Sequence, residues 1–265
     1  MSDAIALVGD IQMTALAHVL RSLESLGSSR EIVYAADEAE LNGSAAFVVE
    51  QRPLVASPPK RKRARGVRYV TVPTLYFPLL WPLAIPNAED RSGRHPWTDA
   101  FVVAAKRQGL TRDAVAALYR AASWGASWPD LDGLFSGTTK MLLAADAAAD
   151  VKIGSFVLKH FRKRRLFWAP NAPSNVLLGE VAFRTLHACF GNDLPVAREE
   201  LVQSVASLGA LDLMSRASLP IHPFVASHFA LAWYHADERY PSQGDARTFD
   251  EYLRDLLDVA FGASQ

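Results

Sequence analysis

The sequence predicts an α/β protein, a small parallel sheet in the N-terminal part joined to a predominantly α-helical body. Three observations carry that class. Short apolar, β-branched runs alternate with a helical pattern in the first third, and from about Trp97 the composition shifts to Ala, Leu and Arg at helical spacing. No Gly/Ser-rich linker divides the two, so residues 1–265 are expected to form one unit, with 1–90 its α/β portion and 91–265 its mainly helical portion.

Each element follows from local pattern. "AIALVG" (4–9) reads as a buried strand and "MTALAHVLRSLESLG" (13–27) as a helix stopped by Gly27. "EIVYAA" (31–36), "AAFVVEQ" (45–51) and "VRYVTVP" (67–73) read as three further strands. Strand, helix, strand at this spacing calls for parallel pairing through right-handed crossovers, with ligands taken beyond the carboxyl ends of the strands. In the second part, helices are expected over 98–109 and 111–123, with Thr98 and Thr111 as N-caps and Gly109 as a stop. A long helix is expected from Thr138 to Phe161, with "AADAAAD" (144–150) as helix-forming sequence inside it, and "RRLFWAP" (164–170) turns extended. Further helices are expected around 174–190, 196–208, 222–236 and 248–260.

Composition narrows the function. Twenty-eight basic residues balance 28 acidic ones, which argues against a nucleic-acid partner and requires any anionic ligand to be met by a local patch. Cys189 is the sole cysteine, which excludes an internal disulfide and a cysteine-based zinc cluster and suits the cytoplasm. The start "MSDAIALVGD" lacks the pattern of a secretory signal, and four prolines interrupt "VTVPTLYFPLLWPLAIP", so no transmembrane segment is expected. No set of His, Asp and Glu has metal-ligand spacing.

"GDIQ" (9–12), between the first strand and its helix, is the first candidate for chemistry. Gly9 permits close approach of a ligand, and the helix N-terminus offers free N–H groups. Asp10 repels a bare phosphate and suits a base or a hydroxyl acceptor; as a plain N-cap it would need no further role. Two basic clusters follow. "KRKRARGVR" (60–68) is either a solvated loop or a phosphate clamp, and "KHFRKRR" (159–165) either complements a helix C-terminus or binds an anion. Lys152, Lys159 and Lys163 fall on one stripe of the expected long helix, beside an apolar stripe of Ile153, Val157 and Phe161. His222 opens a helix between apolar residues, either facing a pocket or packed in the core, and His95 is a loop residue. Walker A, GxGxxG and GxSxG motifs are missing, so nucleotide hydrolysis, Rossmann-type NAD binding and serine hydrolysis lack their signatures.

These blocks, in their order, resemble the WcbI family of polysaccharide biosynthesis proteins. The resemblance runs through "GDIQ", Gln51, "WPLAIPN" (81–87), "DVKIGSFVLKHFRKRRLFWAPNAPS" (150–174) and "HPFVASHFALAW" (222–233) to "TFDEYL" (248–253). It implies a coenzyme A-binding protein of capsular or surface-polysaccharide synthesis. The implied reaction is O-acetyl transfer from acetyl-CoA to a saccharide or nucleotide-sugar acceptor, with polysaccharide-assembly proteins as partners. A non-catalytic CoA- or sugar-binding scaffold is the alternative, and an SGNH-type hydrolase the weakest reading, because Ile11 stands where its serine belongs. The chain departs from the family pattern at Asp10, where the family has asparagine, at Ile11, where it has cysteine, and at Ala172, where it has histidine. An acyl-enzyme on residue 11 is therefore excluded. Asp10 and His222 are the expected bases, with Gln12 and the N–H groups of residues 11–13 as the oxyanion site. Gly9, Ile11, Met13, Gln51, Arg52, Lys159, Arg162 and Asn171 are the expected cofactor-binding residues.

Overall fold

A computed structural model describes residues 4–41, 45–54, 64–88, 96–122, 128–208, 213–241 and 246–262. The basic residues 60–63 and His95 lie outside them. The four expected strands form β1 (Ile5–Val8), β2 (Ile32–Ala35), β3 (Phe47–Arg52) and β4 (Arg68–Pro73), all parallel, in the order β2-β1-β3-β4. The chain leaves β1 to one side for β2 and returns to the other side for β3, so the order reverses between β1 and β3. Their carboxyl ends form the crevice where open parallel sheets take ligands. Val8 pairs with Glu50, which brings Gly9 beside Gln51. Helix α1 (Ile11–Arg21) starts at that point, and the short α2 (Glu24–Gly27) follows.

The helical body comprises α3 (Ala100–Arg107), α4 (Arg112–Ala121), α5 (Leu131–Ala148), α6 (Gly154–His160), α7 (Asn175–Phe190), α8 (Arg198–Ser207), α9 (Pro223–His228) and α10 (Phe249–Phe261). Two antiparallel pairs accompany it, β5 (Ala84–Pro86) with β6 (Trp97–Asp99), and β7 (Phe167–Ala169) with β8 (Ala172–Pro173). One hydrophobic cluster runs from Ile5, Leu7 and Val49 of the sheet through α1 to α5, α6 and α7. Another joins α3, α4 and α10 around Val102, Val115 and Leu253. Among the described residues no helix is long and apolar enough to cross a membrane.

Four expectations need correction. The helix over 13–27 breaks at Ser22 and Leu23 into α1 and α2, because Leu23 is extended there. The helix over 138–161 is two helices, because "AADAAAD" ends one and caps the next. The Asp146 carboxylate accepts from Ile153 N (2.7 Å) and Gly154 N (2.9 Å) at the start of α6. Asp150 accepts from Thr71 N and Oγ1 (2.8 and 2.7 Å), tying the break to β4. Lys152 therefore lies in the break and Lys163 beyond the end of α6, so the lysine stripe is lost; Ile153, Val157 and Phe161 are buried as expected. The helix over 222–236 stops at His228, because Ala230 turns left-handed (φ 49°) and Ala232 N donates to Arg162 O instead. Asp99 rather than Thr98 caps α3, accepting from Phe101 N and Val102 N.

Candidate functional site

At the β1/β3 crevice the backbone of Gly9 adopts φ +155°, and a Cβ there would stand 2.5 Å from Gln51 Oε1 and 2.7 Å from Met13 Cγ. Only glycine fits. Asp10 N donates to Gln51 Oε1 (2.8 Å), and Asp10 Oδ1 accepts from Gln12 N (2.8 Å), the N-cap bond of α1. Both Asp10 and Ile11 are exposed, Ile11 to 60 %. Tyr34 Oη donates to Gly9 O (3.1 Å) from the neighbouring strand.

Gln12 is 3 % exposed and its carboxamide is fully used. Nε2 donates to Leu75 O (2.7 Å) and Asn171 O (2.8 Å), while Oε1 accepts from Leu75 N (2.9 Å) and Gln51 Nε2 (3.0 Å). Two donors and two acceptors meet four partners, the full capacity of a primary amide. The expectation that this amide donates to an oxyanion is corrected accordingly. Gln12 is a fastener that brings β3, the loop after β4 and the β7–β8 turn to one point. Gln51 and Asn171 thus belong to the floor of the crevice, with the Asn171 residue exposed on it. Met13 is buried beneath, its N–H spent on Asp10 O (2.9 Å), and Gln12 N is spent on the cap. Of the three backbone N–H groups expected to face an oxyanion, that of Ile11 alone has no protein acceptor among the described residues.

Arg52 ends β3 at the same edge. Its Nε is buried and has no partner among the described residues, so the guanidinium is a cation with unused hydrogen-bonding capacity. It and Lys152 also act on Asp150. Burial works against the charge of that carboxyl, but bonds from Thr71 and the two cations outweigh it and hold the pKa below the usual range. On the turn after α6, Arg162 donates from Nε to Phe229 O (3.1 Å) and lies over the rings of Phe135 and Phe161, 5.2 and 4.8 Å from their centroids. Lys159 is exposed on α6.

His222 is elsewhere and cannot serve as a base as it stands. It caps α9, with Nδ1 accepting from Phe224 N (3.0 Å), so Nε2 carries the proton donated to Tyr119 O (2.8 Å). The rings of Trp128, Phe249 and Tyr119 stand 5.0, 5.1 and 5.3 Å away, and burial pushes its pKa down against the pull of the Tyr119 carbonyl. It lines a small cavity of about 30 Å³ with Trp81, Asp99, Tyr119, Trp128 and Tyr252. No residue of the Gly9–Met13 turn lines it. Asp99, which the sequence did not single out, accepts from Tyr119 Oη (2.8 Å) there, and burial raises its pKa to about 6. Cys189 is buried, and desolvation pushes its thiol up to about 12. Among the described residues no group of three or more His, Cys, Asp or Glu side chains converges on a metal position.

The sheet order, the exposed Asp10–Ile11 step at its switch point and the enclosing helices define an α/β protein with a polar crevice at the ligand-taking edge of its sheet. The chain belongs to the WcbI family: the family model described as polysaccharide biosynthesis enzyme WcbI matches residues 5–192. No curated protein matches the chain. The fold is similar to the solved structure of WcbI, a polysaccharide biosynthesis enzyme described in its native form without a disulfide bond between CoA and a cysteine. That similarity has a TM-score of 0.77 at 16 % identity and covers 100 % of this chain and 91 % of the other.

Proposed function

We propose that this protein binds coenzyme A at the β1/β3 crevice and transfers an acyl group, acetyl in the simplest case, from the thioester to a sugar hydroxyl in polysaccharide biosynthesis. The observation that carries the reading is the convergence of Asp10, Gln51 and Asn171, from three distant stretches of chain, on one exposed turn at the sheet's switch point. Family membership supplies the pathway, and the CoA named for the structural neighbour supplies the ligand class.

The residues present fit that ligand. Arg52, half-buried at the carboxyl end of β3, carries a guanidinium that suits a phosphate, which charge-assisted hydrogen bonds hold most strongly, and Lys159 and Arg162, on and just after α6, are the further cations this reading enlists. When bound, an acyl-CoA would supply the acyl carbon in activated form, as its thioester, and CoA would leave as the thiol. The chain's own part is proton transfer and orientation. Asp10 Oδ1 is fixed by the Gln12 N–H, which leaves Oδ2 to take the proton of the attacking hydroxyl. The sugar oxygen bonds to the acyl carbon as the carbon–sulfur bond breaks, and the proton passes on to the departing thiolate. Ile11 offers no nucleophile, so the transfer is direct, without an acyl-enzyme.

Calorimetric titration tests the binding. CoA is expected to bind roughly tenfold to a hundredfold tighter than dephospho-CoA, the value of one charge-assisted contact to the 3′-phosphate. Equal affinities would remove the phosphate clamp. Asp10→Asn keeps the helix cap and is expected to retain CoA while lowering transfer by about 10²- to 10⁴-fold. CoA binding without transfer to any saccharide or nucleotide-sugar would favour the scaffold reading.

A further inference from the structure

The cavity that Asp99 shares with His222 has no part in the proposed transfer. Asp99 is buried at the head of α3, and among the described residues no Lys or Arg lines the cavity beside it. The cations of the neighbouring elements are spent on other acids, Arg112 on Asp258, Arg120 on Asp250 and Arg247 on Asp255. Hydrogen bonds alone hold the carboxylate. Oδ1 accepts from Phe101 N (2.9 Å) and Val102 N (3.1 Å), and Oδ2 from the Tyr119 hydroxyl, so one of its four acceptor sites is unfilled. His222 brings no counter-charge, because burial favours its neutral ring, with the Nε2 proton on Tyr119 O. A buried carboxylate without a cation is costly, and the cavity lies where a cation would relieve that cost.

We propose that this cavity is a binding site for a primary ammonium group on a short carbon stem, with Asp99 Oδ2 as its acceptor. Trp81, Tyr119, Trp128 and Tyr252 line it, side chains whose ring faces attract cations. Size sets the ligand. The volume of about 30 Å³ takes two water-sized groups at ~10 to 15 Å³ each, the nitrogen and the carbon that bears it. Thr98, Trp128 and Tyr252 of the lining are half-buried, so the cavity reaches the surface and the rest of a ligand can remain outside. The lone negative charge turns away phosphates. No residue of the Gly9–Met13 turn lines the cavity, so the site stands whether or not the crevice takes CoA.

Titration of the full chain at pH 8 with methylammonium chloride, read from the indole N–H resonances of Trp81 and Trp128, tests this. The Asp99 carboxyl, with a pKa of about 6, is ionised there. Saturable shifts are expected with a dissociation constant on the order of 10 mM, the tightest that two heavy atoms support. Methanol, of the same size without the charge, and tetramethylammonium, charged but too bulky, are expected to bind at least tenfold more weakly. Asp99→Asn keeps the cap of α3 and is expected to weaken methylammonium at least tenfold, the value of one charge-assisted hydrogen bond. No saturable shift, an equal response to methanol, or tetramethylammonium binding as tightly overturns the proposal without recourse to a variant, as does undiminished affinity in Asp99→Asn. Where methylammonium binds as expected, glucosamine binding more tightly assigns the ammonium to an amino sugar, and weaker binding assigns it to a free small amine.

Discussion

Gln12 shows what one side chain decides at this crevice. The "GDIQ" turn was legible in the sequence, because a glycine and a capping acid between an apolar run and a helix have few other uses. The role of Gln12 was not, since three of its four bonds go to main-chain groups at residues 75 and 171, which leave no side-chain pattern to read. Gln12→Ala would leave those groups and Gln51 Nε2 without partners in a buried place. Losses of about 2 to 4 kcal/mol in unfolding free energy are expected from urea titration, and the proposed CoA binding should weaken with them because Gln51 and Asn171 lose their common anchor. A loss below about 1 kcal/mol would mean that water replaces the amide and that Gln12 is not the fastener.

Among the elements, the sheet was readable because each strand is a compact apolar run with a clear end, and all four formed where expected. The break between α5 and α6 was hidden by alanines: "AADAAAD" has high helix propensity, and propensity is a weak prior against tertiary bonding. Asp146 and Asp150 prevail because each carboxylate meets donors from other segments, Ile153 and Gly154 for the first and Thr71 for the second. The same break places the basic turn after α6 by setting where that helix begins and ends. Asp146→Ala removes the acceptor from two backbone N–H groups. It is expected to cost about 2 to 4 kcal/mol, and hydrogen exchange at Gly154 should speed up well before global unfolding. Unchanged protection of that amide would contradict the capping role. The early end of α9 had no sequence signal, since Ala230 is an unusual residue for a left-handed turn.

For the molecule as a whole, pH dependence follows from the joint between its parts. Asp99 at the head of α3 holds Tyr119 of α4, in the cluster that α10 closes. Its pKa is about 6 when folded against 3.8 for the ordinary carboxyl, so the folded state binds the proton more tightly. The resulting stabilisation is full below pH ~4 and is lost as pH rises through ~6, a change on the order of 3 kcal/mol. His222, with its pKa lowered by burial, acts in the opposite sense, so comparison with Asp99→Asn isolates the carboxyl. The wild type's stability relative to that variant should fall between pH 4 and 7, measured by urea unfolding; a constant difference would mean that Asp99 titrates normally. Neither Asp99 nor the distance of His222 from the opening turn was visible in sequence, because both depend on how the helical body is folded. Finally, the bond from Gln12 to Asn171 O spans 159 residues. During synthesis the sheet strands leave the ribosome long before their crevice can be closed, so an interrupted message yields a sheet without a working floor. The crevice is therefore complete only after the β7–β8 turn has been translated, and a chain cut short of it carries the sheet without the Asn171 carbonyl that Gln12 holds.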